Sequence, residues 1–136
     1  SLTFLHGSDS RRTGPALPVT RTFLPMLLAG SGKCIINLSS EAGSIGNAGR
    51  KCEYGYCMSK AALNMETKIL QNAYPEFRFY AIHPGWMKTP QGYAGATKDC
   101  TPQQEPSDTA EKLLTLAETK KYPYLYGDFE GNPMPW

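Results

Sequence analysis

The chain has 136 residues, of which 40% are hydrophobic and 19% are charged. This length and composition predict one small globular domain with a modest core, too small to carry a separate substrate-binding domain. Fourteen basic and twelve acidic residues give a net charge of +2. That balance gives no electrostatic reason to expect nucleic acid as a partner.

Cysteine and histidine spacing argues against a metal site. No two of the four cysteines form a CxxC pair, and the two histidines are far apart, so we expect free thiols in a reducing compartment and no bound metal. No apolar run reaches the roughly 18 residues that cross a membrane. The first residues also lack the basic leader of a signal peptide. We therefore expect a cytoplasmic protein with no membrane contact.

Helical and extended patterns alternate along the chain. Apolar residues at helical spacing predict amphipathic helices, and short β-branched runs bounded by glycine predict buried strands. In chain order we predict an irregular segment 1–13, a helix 15–30, a strand 33–39, a glycine-rich loop 40–55, a helix 56–72, a strand 77–82, a mobile loop 88–105, a helix from 105 and a strand 122–129. This alternation favours a parallel sheet covered by helices, in a single α/β domain.

Two predicted helices have an apolar stripe that can pack into the core. The first stripe contains Leu24, Leu27 and Leu28, and the second contains Ala61, Ala62, Met65 and Ile69.

A tyrosine and a lysine suggest acid–base chemistry. Tyr56 and Lys60 lie four residues apart on a predicted helix, so they share one face. A phenol is a poor acid at neutral pH because its reference pKa is about 10. An ammonium group one turn away favours the phenolate, which lets such a pair act as general acid and base near pH 7. Tyr54 is no rival, since Met58 stands four residues after it.

Two further segments give this pair a context. Ser39-Ser40-Glu-Ala-Gly43 ends the strand before the helix, and Pro84-Gly85 ends the strand after it. A serine hydroxyl at a strand end could polarise a carbonyl beside the phenol. Together these groups suit hydride transfer to or from a carbonyl carbon.

The order of these motifs resembles the short-chain dehydrogenase/reductase family, and more narrowly its carbonyl-reductase-like branch. The resemblance runs over residues 14–136 and corresponds to the C-terminal half of a family member. It implies half of a Rossmann-type, doubly wound parallel sheet. It also implies an NAD(P)-dependent oxidoreductase that acts on a small carbonyl or alcohol substrate. In addition, it implies a possible homodimer through the helices near 17–29 and 56–72, so a core role and an interface role both stay open for their apolar stripes.

The resemblance assigns a catalytic role to three residues. Tyr56 would donate and accept the proton, Lys60 would favour its phenolate, and Ser40 would hydrogen-bond the substrate oxygen. Ser39 is the neighbouring alternative to Ser40 and would more readily support the strand end.

The resemblance also implies a cofactor site. Tyr56 and Lys60 would contact the nicotinamide ribose, Pro84 and Gly85 would form the wall beside the nicotinamide, and Thr89 would contact its carboxamide. An ordinary loop threonine is the competing interpretation of Thr89. The cofactor would be NADP or NAD, with a slight preference for NADP.

Two departures from the family pattern leave a second hypothesis open. The glycine-rich Thr-Gly-x-x-x-Gly-x-Gly turn, which holds the cofactor pyrophosphate in the family, is not found in these 136 residues. Arg11 stands where the family has an asparagine, and a guanidinium has no acceptor to replace the amide in a water-linked proton relay. The alternative is therefore a truncated, inactive relative that acts as a binding or regulatory module, or an incomplete gene product.

Overall fold

The computed structural model describes residues 16–119 and 123–136. The predictions for residues 1–13, including Arg11, lie outside these ranges. The elements are helix α1 (Ala16–Ala29), strand β1 (Cys34–Leu38), a 3₁₀ turn (Glu41–Gly43), helix α2 (Tyr54–Ala73), strand β2 (Arg78–His83), helix α3 (Pro90–Ala94), helix α4 (Pro106–Thr119) and strand β3 (Tyr126–Asp128). The predicted alternation of helix and strand is confirmed.

The strands form one parallel sheet in the order β1-β2-β3. Leu38 pairs with Ile82, which in turn pairs with Gly127. The register places the carboxyl ends of the three strands at one edge of the sheet. In open α/β sheets, ligands bind outside this edge, so the residues that follow each strand are the ones to examine for function.

A small aromatic and aliphatic core holds two helices to the sheet. Leu24 of α1 and Leu70 of α2 pack with Phe77 and Phe79, and all four side chains are at most 3% exposed. The rings of Phe77 and Phe79 lie 5.8 Å apart between centroids, within the range of favourable aromatic pairs. Phe79 belongs to β2, whose central residues are buried as expected for the middle strand of a covered parallel sheet.

The buried face of α2 differs from the predicted apolar stripe. Met65 and Ile69 are 61% and 58% exposed, whereas α2 buries Asn64, Thr67 and Leu70. The polar residues face inward because the sheet offers them hydrogen-bond partners. Counting apolar residues could not show this, since it treats every polar residue as external.

Thr67 supports a prediction about stability. Its hydroxyl is fully buried, accepts a hydrogen bond of 2.9 Å from Asn37 Nδ2 on β1 and donates to Leu63 O. We expect Thr67→Val to lower the free energy of unfolding by about 1–3 kcal/mol, because the buried Asn37 amide loses its acceptor. Urea denaturation measures this. Thr115→Val is the matched control, since its exposed hydroxyl only bonds to a carbonyl of its own helix. Equal losses in the two variants would contradict the prediction.

The segment 88–105 is more ordered than the predicted mobile loop. It contains helix α3, and Thr89 caps this helix by accepting a hydrogen bond of 3.1 Å from Gly92 N. A threonine followed by proline is a common helix start, a local signal that the glycine-rich and proline-rich composition obscured. The last strand is also shorter than predicted and begins at Tyr126.

Residues 16–119 and 123–136 contain neither a candidate membrane span nor a cluster of metal ligands. None of the helices there is long and apolar enough to cross a membrane. No group of three or more histidine, cysteine, aspartate or glutamate side chains in these ranges could hold a metal ion.

Candidate functional site

The carboxyl edge of the sheet gathers most of the predicted site residues. Ser39 and Ser40 follow β1, and Pro84 and Gly85 follow β2. The N-terminal half of α2, with Tyr56 and Lys60, packs against the turn that follows β1. Segments far apart in the chain therefore meet at this edge.

Lys60 connects α2 to the end of β1. Its ammonium donates a hydrogen bond of 2.8 Å to Leu38 O, and its Nζ lies 5.8 Å from the centroid of the Tyr56 ring. Partial burial lowers the pKa of Lys60, because the charged form loses hydration. Lys60 and the Tyr56 ring are therefore close together, and the hydrogen bond from Lys60 to Leu38 O attaches this part of α2 to the end of β1.

The close contact of α2 with the turn depends on a glycine. A Cβ atom at Gly43 would lie 2.8 Å from Lys60 C and 2.9 Å from Lys60 O. The Asn64 side chain is equally near and donates a hydrogen bond of 3.1 Å to Gly43 O. Gly43 therefore allows the helix backbone to approach the turn at the level of the candidate lysine.

Ser39 has a structural partner in α2. Its buried hydroxyl donates a hydrogen bond of 2.5 Å to Asn64 Oδ1. The hydroxyl proton is therefore already used within the fold. This arrangement fits the role of supporting the end of β1.

Ser40 is held from three directions. Its hydroxyl donates a hydrogen bond of 2.6 Å to Glu41 Oε2 and accepts one of 3.2 Å from Ala42 N. Its carbonyl oxygen accepts a hydrogen bond of 2.7 Å from the buried Tyr126 hydroxyl on β3. The backbone position of Ser40 thus depends on β3 as well as on β1.

Glu41 and Arg50 form a charged network beside Ser40. Arg50 bonds to both Glu41 and Glu53, and its guanidinium carbon lies 5.9 Å from the centroid of the Tyr56 ring. Partial burial would raise the pKa of Glu41, but hydrogen bonds from Ser40 and Arg50 outweigh it and lower the pKa. The Glu41 carboxyl is therefore ionised at neutral pH.

His83 approaches the same carboxylate from β2. Its Nδ1 lies 3.6 Å from Glu41 Oε2. Burial lowers the pKa of His83, although the Glu41 charge acts in the opposite direction. His83 is therefore neutral at pH 7 and sits between the network and Pro84-Gly85.

The lowered pKa of His83 predicts a pH dependence of stability. As pH falls from about 7 through the ordinary histidine pKa of about 6.5, the unfolded chain binds a proton before the folded chain does. The free energy of unfolding should therefore decrease over this window, down to the folded pKa of His83. Urea denaturation at stepped pH measures the slope, and His83→Gln should reduce it. An unchanged slope in that variant would contradict the prediction.

The residues predicted to contact the cofactor are arranged around the end of β2. Gly85 has a positive φ of 80°, and a Cβ atom there would lie 2.8 Å from the Phe129 ring. Pro84 O accepts a hydrogen bond of 3.1 Å from the buried Thr109 hydroxyl. Thr89 lies further on, where its hydroxyl oxygen caps α3. The positive φ of Gly85, the nearby Phe129 ring and the hydrogen bond from Thr109 therefore fix the backbone at Pro84-Gly85. Thr89 has a structural role, since it caps α3.

Sequence reasoning missed four residues of this region: Asn64, Glu41, Arg50 and Tyr126. A signal for Asn64 was present, since positions 56, 60 and 64 follow one another by a helical turn on one face. Glu41 was visible only as the neighbour of Ser40. Arg50 lies in the loop near both of its carboxylate partners, but loop composition does not show which charges pair. Tyr126 had no local signal, because its partner Ser40 is 86 residues away.

Comparison with known proteins supports the resemblance to the short-chain dehydrogenase/reductase family. A family model described as short chain dehydrogenase matches residues 13–98. The C-signal protein of Myxococcus xanthus is 31% identical over 127 residues, which make up 90% of this chain and 72% of that protein. An uncharacterized oxidoreductase of Schizosaccharomyces pombe is 36% identical over 104 residues, covering 75% of this chain and 38% of that protein.

Solved structures agree with the sequence matches. A carbonyl reductase from chicken fatty liver, solved with NADPH bound, is 32% identical with a TM-score of 0.70, over 88% of this chain and 52% of that one. The carbonyl reductase Sniffer of D. melanogaster is 28% identical with a TM-score of 0.66, over 87% and 51%. The chain thus spans about half the length of these two solved relatives.

Fold, motif order and comparisons define a Rossmann-like α/β protein. The chain belongs to the short chain dehydrogenase family, whose members are NAD(P)-dependent oxidoreductases, and within it is carbonyl-reductase-like.

Proposed function

We propose that this protein transfers hydride between a nicotinamide cofactor and a small carbonyl or alcohol, with Tyr56 as the acid and base. The observation that carries the proposal is the position of Lys60, whose ammonium is near the Tyr56 ring and bonded to Leu38 O at the end of β1. This contact holds the candidate lysine at the carboxyl end of β1, two residues before Ser40. The NADPH-bound chicken carbonyl reductase supports the same chemistry.

The residues at this edge fit the nicotinamide half of a dinucleotide. Leu38 O uses one of the three ammonium protons of Lys60, and the others can bind ribose hydroxyls. Gly85, with its positive φ, turns the backbone away from the end of β2 and, with Pro84, offers a wall for a flat ring. The cofactor supplies or accepts the hydride when bound. We propose NADP rather than NAD as the cofactor, since the chicken relative was solved with NADPH bound.

The chain itself handles the proton and the oxygen. Tyr56 protonates the carbonyl oxygen during reduction, and its phenolate takes the alcohol proton during oxidation. The nearby Lys60 ammonium stabilises that phenolate. Ser40 donates to the substrate oxygen as charge develops on it, after its hydroxyl turns from Glu41 toward the substrate. Thr89 remains a cofactor contact in this proposal, since the start of α3 follows the Pro84-Gly85 turn by a few residues.

Turnover tests the proposal directly. The protein should be isolated as its source cells make it, with any residues that flank these 136. We expect it to oxidise NADPH with acetophenone and to reduce NADP⁺ with 1-phenylethanol, both followed at the absorbance of the reduced cofactor. Calorimetry with NADPH and NADH measures cofactor choice. Binding without turnover on a wider panel of ketones and aldehydes would favour the binding or regulatory module, and absence of both would refute the enzyme.

A homodimer through α1 and α2 stays a prediction. Its support is the set of exposed apolar side chains on these helices: Val19, Phe23, Met26 and Leu28 on α1, and Met58, Met65 and Ile69 on α2. Sedimentation equilibrium of the isolated protein measures its mass in solution. A mass of one chain at micromolar concentration would contradict the dimer.

The cytoplasmic location likewise stays a prediction from the sequence.

A further inference from the structure

The backbone around Ser40, which follows β1, is also bonded to the other two strands. Ser39 N donates a hydrogen bond of 2.8 Å to Ile82 O on β2, which extends the pairing of β1 with β2. Ser40 O then accepts two hydrogen bonds, one of 3.0 Å from Gly43 N in the same turn and one of 2.7 Å from the Tyr126 hydroxyl on β3. The local bond sets the shape of the turn, whereas the bond from Tyr126 sets the place of the turn on the sheet.

The Tyr126 side chain is itself firmly held. It is 2% exposed, and burial raises the pKa of its phenol, so the hydroxyl keeps the proton that it donates to Ser40 O. Its ring packs against the ring of Trp136, with 5.3 Å between the centroids. Met134 N donates a hydrogen bond of 3.1 Å to Tyr126 O, so the chain returns beside β3. A neutral donor in a fixed position is therefore directed at the Ser40 backbone.

The segment that returns beside β3 binds the same loop further on. Pro135 O accepts a hydrogen bond of 2.5 Å from the buried Ser44 hydroxyl. Trp136 O accepts one of 2.7 Å from Gly46 N. A Cβ atom at Gly46 would lie only 3.0 Å from Pro135 Cβ, so the two segments are in close contact. The loop that begins at Ser40 is thus attached at several points to β3 and to the segment that follows it.

We propose that Tyr126 is a positioning residue, which holds Ser40 where its hydroxyl can bond to the substrate oxygen. This inference rests on the proposed role of Ser40. A donor stabilises the charge that develops on such an oxygen when it lies about 3 Å away, so a small shift of the Ser40 backbone weakens the effect. The Tyr126 hydroxyl limits that shift, and the contact of its ring with Trp136 limits the motion of Tyr126. Because the hydroxyl is buried and bonded to Ser40 O, Tyr126 acts through Ser40 and not on the substrate.

Tyr126→Phe removes the hydroxyl and keeps the ring beside Trp136. In the isolated protein we expect kcat for reduction of acetophenone to fall about two- to tenfold, the factor that corresponds to one neutral hydrogen bond. The KM for NADPH should stay unchanged, since no cofactor contact is assigned to the Ser40 turn. The Gly43 amide, which donates to Ser40 O, should exchange with deuterium faster by a similar factor.

A double-mutant cycle separates positioning from a general loss of stability. In a Ser40→Ala background the hydroxyl to be positioned is gone, so Tyr126→Phe should have no further effect on kcat. Tyr74→Phe is the matched control, since Tyr74 precedes β2 at the opposite edge of the sheet and its ring packs edge-on against Phe77. It should keep the kcat of its parent in both backgrounds.

Equal losses from Tyr126→Phe with and without the Ser40 hydroxyl would overturn the positioning role. A wild-type kcat in Tyr126→Phe, or an unchanged exchange rate at Gly43, would do the same, and each of these results would leave the oxidoreductase proposal intact. A Ser40→Ala protein with wild-type kcat would overturn the role of Ser40 and this inference, but not the role of Tyr56. A wild-type protein inactive on all ketones and alcohols would overturn the proposed function and this inference together.

Discussion

Tyr56→Phe is expected to lower kcat by about 10²–10⁴-fold, the contribution of a placed acid–base group, because the ring keeps its position and loses its proton. The substitution removes one oxygen from a partly buried ring, so the stability of the fold should change little. Turnover of NADPH with acetophenone measures the first effect, and urea denaturation measures the second. The same protein preparation serves both measurements.

Tyr54→Phe is the matched control for this experiment. Tyr54 begins the same helix and is 74% exposed, and the residue four positions later is a methionine. Its loss of a hydroxyl should leave kcat unchanged. A Tyr56→Phe protein with wild-type turnover, or equal losses in both variants, would refute the assignment of Tyr56.

Gly43→Ala should lower the stability of the fold and disturb the candidate site at the same time. The new methyl group would lie 2.8 Å and 2.9 Å from Lys60 C and O, which are backbone atoms of α2 and cannot rotate away. Overpacking of this kind costs about 1–3 kcal/mol of unfolding free energy. The helix must shift, which displaces the Lys60 ammonium from Leu38 O. We therefore expect a lower urea midpoint together with a lower kcat.

Gly49→Ala provides the comparison in the same loop, since a Cβ atom there meets nothing within 4 Å. Its urea midpoint should match or slightly exceed that of the wild type, because alanine restricts the unfolded chain more than glycine does. Equal urea midpoints for Gly43→Ala and Gly49→Ala would contradict the inference that Gly43 is needed for the close contact between α2 and the turn.

Local patterns predicted most of the architecture. Buried strands such as β2 are short apolar runs between turn residues, and the helices have a clear period, so their order and the parallel sheet could be read without long-range information. The pairing of Tyr56 with Lys60 was equally local, because a spacing of four places two side chains on one helical face. The boundaries moved by a few residues, as with α2, which begins at Tyr54.

Local patterns were insufficient where long-range contacts decide the result. The apolar stripe of α2 could be core or interface, and the structure leaves Met65 and Ile69 exposed while the helix buries Asn64 and Thr67. These two polar side chains find partners on and after β1, and a buried hydrogen-bonded polar group can occupy the inner face of a helix. A count of apolar residues contains no information about such partners.

The sequence by itself determined the class of fold, the family and the spacing of the phenol and the amine on one helix. The tertiary structure decided what surrounds them. It directs the Ser40 proton to Glu41 and brings the Tyr126 hydroxyl, 86 residues away, to Ser40 O. Helical spacing is a property of neighbouring residues, whereas the partner of a hydroxyl depends on which distant backbone and side-chain atoms packing brings within 3 Å.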